Sequence, residues 1–356
     1  MENKSALAQY SRKRRNYSIG AFFAAVVLFW FFSFKLFLGD IMLVQDDKGI
    51  LTDDSQDRDQ EVAPFSQEHD YPVMIVFDNH PDSRPYFTGI KEAEVVYEFL
   101  AEGGATRFAA VFSGAPRAEK IGPVRSARPY VVETASGWSA FFLHAGGSPE
   151  ALDLIKSGKT DVIDLNEISG LGPVYFWRDA AIERPHNLFT SGERIADGLK
   201  NFGLNKLPSE KLTWKWGGRE EDGKGANSIY VDFSEGLEFD SSYEYDFDSG
   251  LYKRFLGGVE HKDRITGEQF SAANIIVQFV PKEGYYPSGE ARISLDMIGE
   301  GDIMLFQNGR MIEGTWKKVR AKAQTEWLDS GGLPIVLTFG QTWVEIVPGS
   351  RVVSFE

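Results

Sequence analysis

The chain has 356 residues, 42% of them hydrophobic and 13% aromatic, a composition that supports a packed core and two folded domains and is far from fibrous or disordered chains. Lys+Arg 38 against Asp+Glu 52 gives a net charge of -14, which argues against nucleic acid as a partner, because nonspecific binding needs surplus cations to neutralise phosphates. The absence of cysteine removes disulfides, thiol catalysis, iron–sulfur clusters, thiolate zinc sites and a lipid-modified N-terminal Cys.

In chain order, a basic segment over 1–18 carries Arg12, Lys13, Arg14 and Arg15 directly before the apolar run IGAFFAAVVLFWFFSFKLFL at 19–38. That run is long enough to cross a hydrocarbon core as one helix, and the basic flank sets the N-terminus in the cytoplasm by the positive-inside rule. The expectation is a single-pass cell-membrane protein with extracytoplasmic domains. A cleaved signal peptide is the rival, but the run exceeds the usual apolar length of ~7–15 residues and no small-x-small site follows it. The stretch 39–70 is an acidic linker: from Asp40 to Asp70 ten acids face Lys48 and Arg58, net -8, the signature of a solvated tether.

The fold class expected is α+β. A mixed α/β domain over 71–205 is predicted from apolar runs at 73–78, 95–100, 108–112, 140–144 and 162–165. Between them stand three helix starts: Ser126 with Pro129, Ser148-Pro149-Glu150 leading to Gly158, and a Thr190/Glu193 capping box leading to Gly203. The runs 95–100 and 108–112, joined through Gly103-Gly104, predict a hairpin. A mainly antiparallel β domain over 226–356 is predicted from alternating runs at 228–233, 243–247, 275–280, 293–297, 303–306 and 335–338. Its Trp and Phe residues suit a core, or more specifically a carbohydrate-stacking surface.

Polar clusters stand at the ends of the first domain's apolar runs, where open α/β sheets bind ligands. The ligand-binding candidates are Asp78, Asn79, Arg84, Arg107, Arg125, Ser126, Arg128, Gly146, Gly147, Ser148, Arg178 and Asn187. Guanidinium forks suit phosphate or carboxylate, and Gly146-Gly147-Ser148 lets an anion approach a helix start. The competing reading is structural pairing of the arginines with Asp78, Glu98 and Glu102. His80, His144 and His186, with Glu98 or Glu102 as partner, are the acid–base candidates, against a structural or ligand-orienting role. There is no H-x-x-H, H-E-x-x-H or D-x-D-x-D spacing, so no metal is expected, and the glycines fail the nucleotide-binding patterns, so no cofactor is expected. Ser126 and Ser148 lack the G-x-S-x-G elbow of a nucleophile. His69 and His261 have polar neighbours and are expected to be solvated.

The segments DNHPDSRPYFTGIKEAEVVYEFLAEGGATRFAAVF, IGPVRSARPY, HAGGSPEAL and FWRDAAIERPHNLFTS, and more loosely GQTWVEIVP near the end, resemble the YerB-like family of bacterial cell-envelope proteins, a domain of unknown function that includes lipoproteins. The resemblance covers most of 71–356 and implies a two-domain extracytoplasmic protein, with no reaction attached. Lipoprotein members carry a lipobox Cys, which this chain lacks, so lipid modification is not carried over.

The function expected is binding of an anionic envelope-associated ligand, such as a glycan or lipid head group, in an Arg/His-rich cleft. The alternatives are an envelope hydrolase or transferase using the His/Glu residues, and a non-catalytic scaffold with an envelope protein partner.

Overall fold

The computed structural model describes residues 64–65, 70–206, 212–217, 223–233, 236–281, 283–286 and 292–356. The basic segment 1–18, the predicted span 19–38 and most of the linker 39–70 lie outside the described residues. Among the described residues no helix is long and apolar enough to cross a membrane. Strands dominate, with few helices.

The first region supplies β1 (Pro72–Asp78), β2 (Val95–Leu100), β3 (Thr106–Ser113), β4 (Phe141–His144) and β5 (Ile163–Asn166), with helices α1 (Pro129–Gly137), α2 (Pro149–Lys156), the short α3 (Gly172–Tyr175) and α4 (Gly192–Asn201). The second supplies β6 (Ser228–Val231), β7 (Ser241–Asp246), β8 (Leu251–Leu256), β9 (Asn274–Val280), β10 (Gly299–Gln307), β11 (Arg310–Lys318), β12 (Glu326–Asp329), β13 (Thr342–Pro348) and β14 (Val353–Phe355). Strands of both regions join one 11-stranded sheet in the order β12-β11-β10-β9-β13-β2-β3-β1-β4-β5, with Lys224–Gly225 added at β11. The first region's sheet and the second's are thus one continuous layer. Its seam is β13, which runs parallel to β9 on one side and to β2 on the other, a departure from the antiparallel pattern around it. A second sheet of six strands centres on β8, β7, β6 and β14.

The continuous apolar runs follow from burial on both faces: β1 and β13 have every residue buried. One face of the large sheet, including Val73, Ile75, Phe77, Val96, Phe108 and Trp343, packs with Ile229, Tyr243 and Tyr252 of the second sheet. The other face, including Met74, Val95, Phe99 and Val344, packs with Tyr130, Val131 and Ala135 of α1 and with Trp327.

The helix starts follow sequence chemistry with two shifts, the first being that α1 is preceded by Arg128 with no side-chain cap bond, and not capped by Ser126. Ser148 caps α2, its Oγ accepting from Ala151 N at 3.3 Å, and Pro129 opens α1. The cap of α4 is Ser191, not Thr190: Ser191 Oγ accepts from Arg194 N, while Thr190 Oγ1 donates to Tyr175 O at 2.8 Å. The hairpin of β2 and β3 forms as expected, and Gly103 and Gly104 turn it with φ 70 and 78, values that glycine adopts without Cβ strain.

Candidate functional site

β1 and β4 are parallel neighbours, so Asp78 and His144 fall at the same end of the large sheet. The segment that begins with Gly122-Pro123 is laid across that end by backbone hydrogen bonds. Asp78 N donates to Pro123 O, Arg125 N to Val76 O and Ala145 N to Arg125 O. Antiparallel pairing places Arg107 opposite Asp78. The loop before Leu188 arrives from the other side, since Val124 N donates to Leu188 O at 2.7 Å.

Asp78, only 3% exposed, is the organiser. Its Oδ2 accepts from His186 Nδ1 at 2.6 Å and lies 3.2 Å from Arg125 Nε. Its Oδ1 accepts from the His80 backbone N–H at 3.1 Å. The imidazoles of His80 and His186 stack with centroids 5.0 Å apart, and His80 Nδ1 lies 3.4 Å from Asp82 Oδ2. Ligand atoms of His80, Asp82 and His186 all fall within 4.8 Å of one another. Asp82 is a residue that the sequence reasoning missed. The expectation of no metal rested on local spacing, and His186 reaches Asp78 from 108 positions away.

Beside this group lies a second cluster. Arg128 holds Glu102 with Nε at 2.6 Å and Nη2 at 2.9 Å, and donates to Ser126 Oγ and Ala127 O. Arg107 donates to Ser126 O and lies 3.5 Å from Glu102. Burial together with the charges of Arg128 and Arg125 pushes the Arg107 guanidinium down to about 10. Burial alone would raise the Glu102 carboxyl, but hydrogen bonding from Arg128 and the charges of Arg107 and Arg128 outweigh it and hold Glu102 below the usual carboxylate range. Three guanidiniums thus meet two carboxylates. Arg125 is the least engaged: among the described residues its side chain pairs with Asp78 alone, and its Nε is buried without a hydrogen bond.

Several predicted residues have other work. His144 is wholly buried, and both ring nitrogens are engaged, Nδ1 with Gly146 O at 2.6 Å and Nε2 with Asp164 Oδ1 at 2.7 Å. No ring nitrogen is left to shuttle a substrate proton. Gly146 (φ 64) donates to Asn166 Oδ1 and accepts from Ala127 N, and Ser148 N donates to Ala127 O. The Gly146-Gly147-Ser148 turn is tied to Ala127 and Asn166 through Gly146 and Ser148. Arg84 donates to Asn79 Oδ1 and to Glu238 O, tying the 3₁₀ turn after Asp82 to the second region. Asn79 in turn donates to Thr106 Oγ1 at 2.7 Å. Arg178 pairs with Glu167 at 3.1 Å and donates to Asn187 Oδ1.

Glu98 joins neither of these clusters. With 0% exposure, it accepts from Thr106 Oγ1, from Ser241 Oγ and from Arg254 Nη2. It sits in register beside Glu345 on the adjacent parallel strand. Arg254 of the second sheet enters between the two, donating to Glu345 Oε1 at 2.8 Å and stacking 4.0 Å from the Trp343 ring. Tyr243 also donates to Glu345. Burial raises the Glu345 carboxyl to about 8 against the pull of Arg254. His261, expected to be solvated, is buried here. Its Nδ1 accepts from Arg254 Nε at 3.1 Å, and burial, reinforced by the Arg254 charge, holds its pKa well below the usual range. The signal for this network was an arginine on the buried parity of β8, between Tyr252 and Leu256, and an acid in each of two otherwise apolar runs.

Residues 61–205 match the family described as "Protein of unknown function (DUF3048) N-terminal domain", and 229–344 match its C-terminal domain. The chain is 35% identical over 281 residues to "Putative lipoprotein YerB" of Bacillus subtilis (strain 168), covering 78% of this chain and 81% of that protein. It also resembles the crystal structure of YerB from Bacillus subtilis at 32% identity and a TM-score of 0.68, over 81% of this chain and 94% of the other. Sequence, both domain matches and fold agree, and the chain belongs to the DUF3048 family, which is described as of unknown function.

Proposed function

We propose that this protein binds an anionic, phosphate- or carboxylate-bearing ligand of the cell envelope at the end of the large sheet occupied by Asp78, Arg107, Ser126, Arg128 and Arg125. The observation that carries the reading is Arg125, a guanidinium beside two further arginines with Asp78 as its sole partner among the described residues. A bidentate anion suits the fork it presents. The apolar run 19–38 and its basic flank, together with the lipoprotein description of the Bacillus relative, support a membrane-attached, extracytoplasmic location. The Asp78–His186 pair favours one second reading, hydrolysis or transfer on the same ligand class with His186 as the acid–base group.

The test is thermal unfolding of the full chain in detergent with phosphate and with acidic envelope glycan fragments, alongside Arg125→Ala. Binding to the native state at 100 times Kd adds about 2.7 kcal/mol. Stabilisation of the wild type and not of the variant supports the reading; equal response of both defeats it.

A further inference from the structure

We propose that His80, Asp82 and His186 form a binding site for one divalent transition metal ion of the zinc class, with Asp78 as the carboxylate that orients His186. The ligand set, two imidazoles and one carboxylate with a fourth position open, is the composition of open zinc sites. Imidazole nitrogen selects for zinc, cobalt and nickel over calcium or magnesium, which prefer oxygen.

Three observations carry the assignment. The ligand atoms lie within 4.8 Å of one another, and the His80 Nδ1 to Asp82 Oδ2 separation is 3.4 Å. Metal–ligand bonds of about 2.0–2.1 Å in a tetrahedron put ligand atoms about 3.4 Å apart, so that edge is already of the right length. The side chains of His80 and Asp82 are 48% and 74% exposed; His80 Nδ1 accepts from the Asp82 backbone N–H at 3.3 Å, a bond that an ion would displace, while His186 stays anchored by Asp78.

The anchor is the second observation. Metal-ligating imidazoles typically give their other ring N–H to a carboxylate, which fixes the tautomer and leaves a lone pair for the metal. His186 has that arrangement, with Nδ1 committed to Asp78 Oδ2 at 2.6 Å. Nε2 is the nitrogen left for an ion.

Third, the same carboxylate holds both imidazole-bearing segments. Asp78 Oδ2 takes the His186 ring and Oδ1 takes the His80 backbone N–H, so one buried group sets the spacing of two ligands from distant parts of the chain. The contrast is His144 with Asp164, the other His–Asp contact of the sheet end. There the second ring nitrogen is consumed by Gly146 O, and nothing remains for a metal. Arg125 Nε lies 3.2 Å from the same Asp78 Oδ2.

The proposal needs no anionic ligand and is tested without one. The full chain in detergent, stripped with chelator, is titrated with Zn²⁺ by calorimetry and with Co²⁺ by visible absorption. The variants are His80→Ala, His186→Ala, Asp78→Asn and Asp164→Asn, each checked by melting in chelator. Expected are saturable 1:1 uptake and tetrahedral Co²⁺ bands in the wild type, both lost in the two histidine variants. Asp164→Asn retains them, and Asp78→Asn binds 10–100-fold more weakly, the usual loss for an orienting carboxylate. Absence of saturable uptake in the wild type, uptake unchanged by both histidine substitutions, or loss in Asp164→Asn equal to that in His186→Ala would each overturn the site.

Discussion

Glu98 and Glu345 lie side by side, in register on adjacent parallel strands, and both point at Arg254. All three side chains have 0% exposure. The cation neutralises one acid, and the other keeps its proton most cheaply, so the sheet-to-sheet joint is held by one buried charge pair and one neutral carboxyl.

Glu98→Gln therefore destabilises strongly. It removes one of the two carboxylate partners of a wholly buried guanidinium, and breaking such a buried pair costs about 3–5 kcal/mol. Denaturant unfolding of the wild type and variant measures it, and a loss below about 1 kcal/mol would mean that Arg254 is satisfied without Glu98.

Glu345→Gln is far milder and changes the pH profile instead. With the folded-state carboxyl raised from the ordinary 4.5 to about 8, its contribution is fully present below pH 4.5 and is lost as pH rises through 8. Glu133 and Glu94, each pushed to about 7 chiefly by burial, act in the same direction. Lys318, lowered to about 8 by burial, acts oppositely, its contribution lost as pH falls from 10.5 through 8. His261, held well below 6.5 by burial, also acts oppositely, its contribution lost as pH falls below 6.5, so the window that isolates the acids is pH 6.5 to 8: there melting temperatures are expected to fall with rising pH in the wild type and to fall less in Glu345→Gln. Parallel profiles would remove Glu345 from the account.

Arg125→Ala and Arg128→Ala separate binding from support. Arg125 pairs with Asp78 alone among the described residues and is 26% exposed, so its loss costs under about 1 kcal/mol while abolishing stabilisation by anions. Arg128 carries four hydrogen bonds to Glu102, Ser126 and Ala127, and its loss costs about 1–3 kcal/mol through the carboxylate left behind. Equal costs in chemical unfolding would contradict this division.

Ser148→Ala removes the side-chain cap of α2 and is expected to cost about 1 kcal/mol. Since Ser148 N stays bonded to Ala127 O, anion response should be unaffected. A variant that melts normally but no longer responds to anions would restore the Gly146–Ser148 turn as a binding element.

The strands and helix starts of the first region were legible because caps, prolines and glycines act locally: Ser148, Pro129 and Gly103 do in the fold what their chemistry prescribes anywhere. β13 was not predicted as a strand because it is buried on both faces and shows no alternation. The site was legible in part. Asp78, Arg125 and His186 converge as their strand-end positions suggested, yet Asp82 escaped notice because its partner His186 is brought in only by the tertiary fold. Glu98 and His144 stood among the acid–base candidates because sequence shows that a polar residue ends or interrupts an apolar run, but not that its hydrogen bonds are used inside the fold, as theirs are.

The position of β13 has a consequence for the order of events during synthesis. β2 is complete once Leu100 has been made, but its outer neighbour, Thr342–Pro348, is among the last segments to emerge. Until then the first region exposes a bare apolar strand edge, the kind of surface that templates pairing between chains. A nascent chain made in N-to-C order must therefore shield that edge for most of its translation, and a product truncated after residue 205 is expected to aggregate and not to stand as a domain.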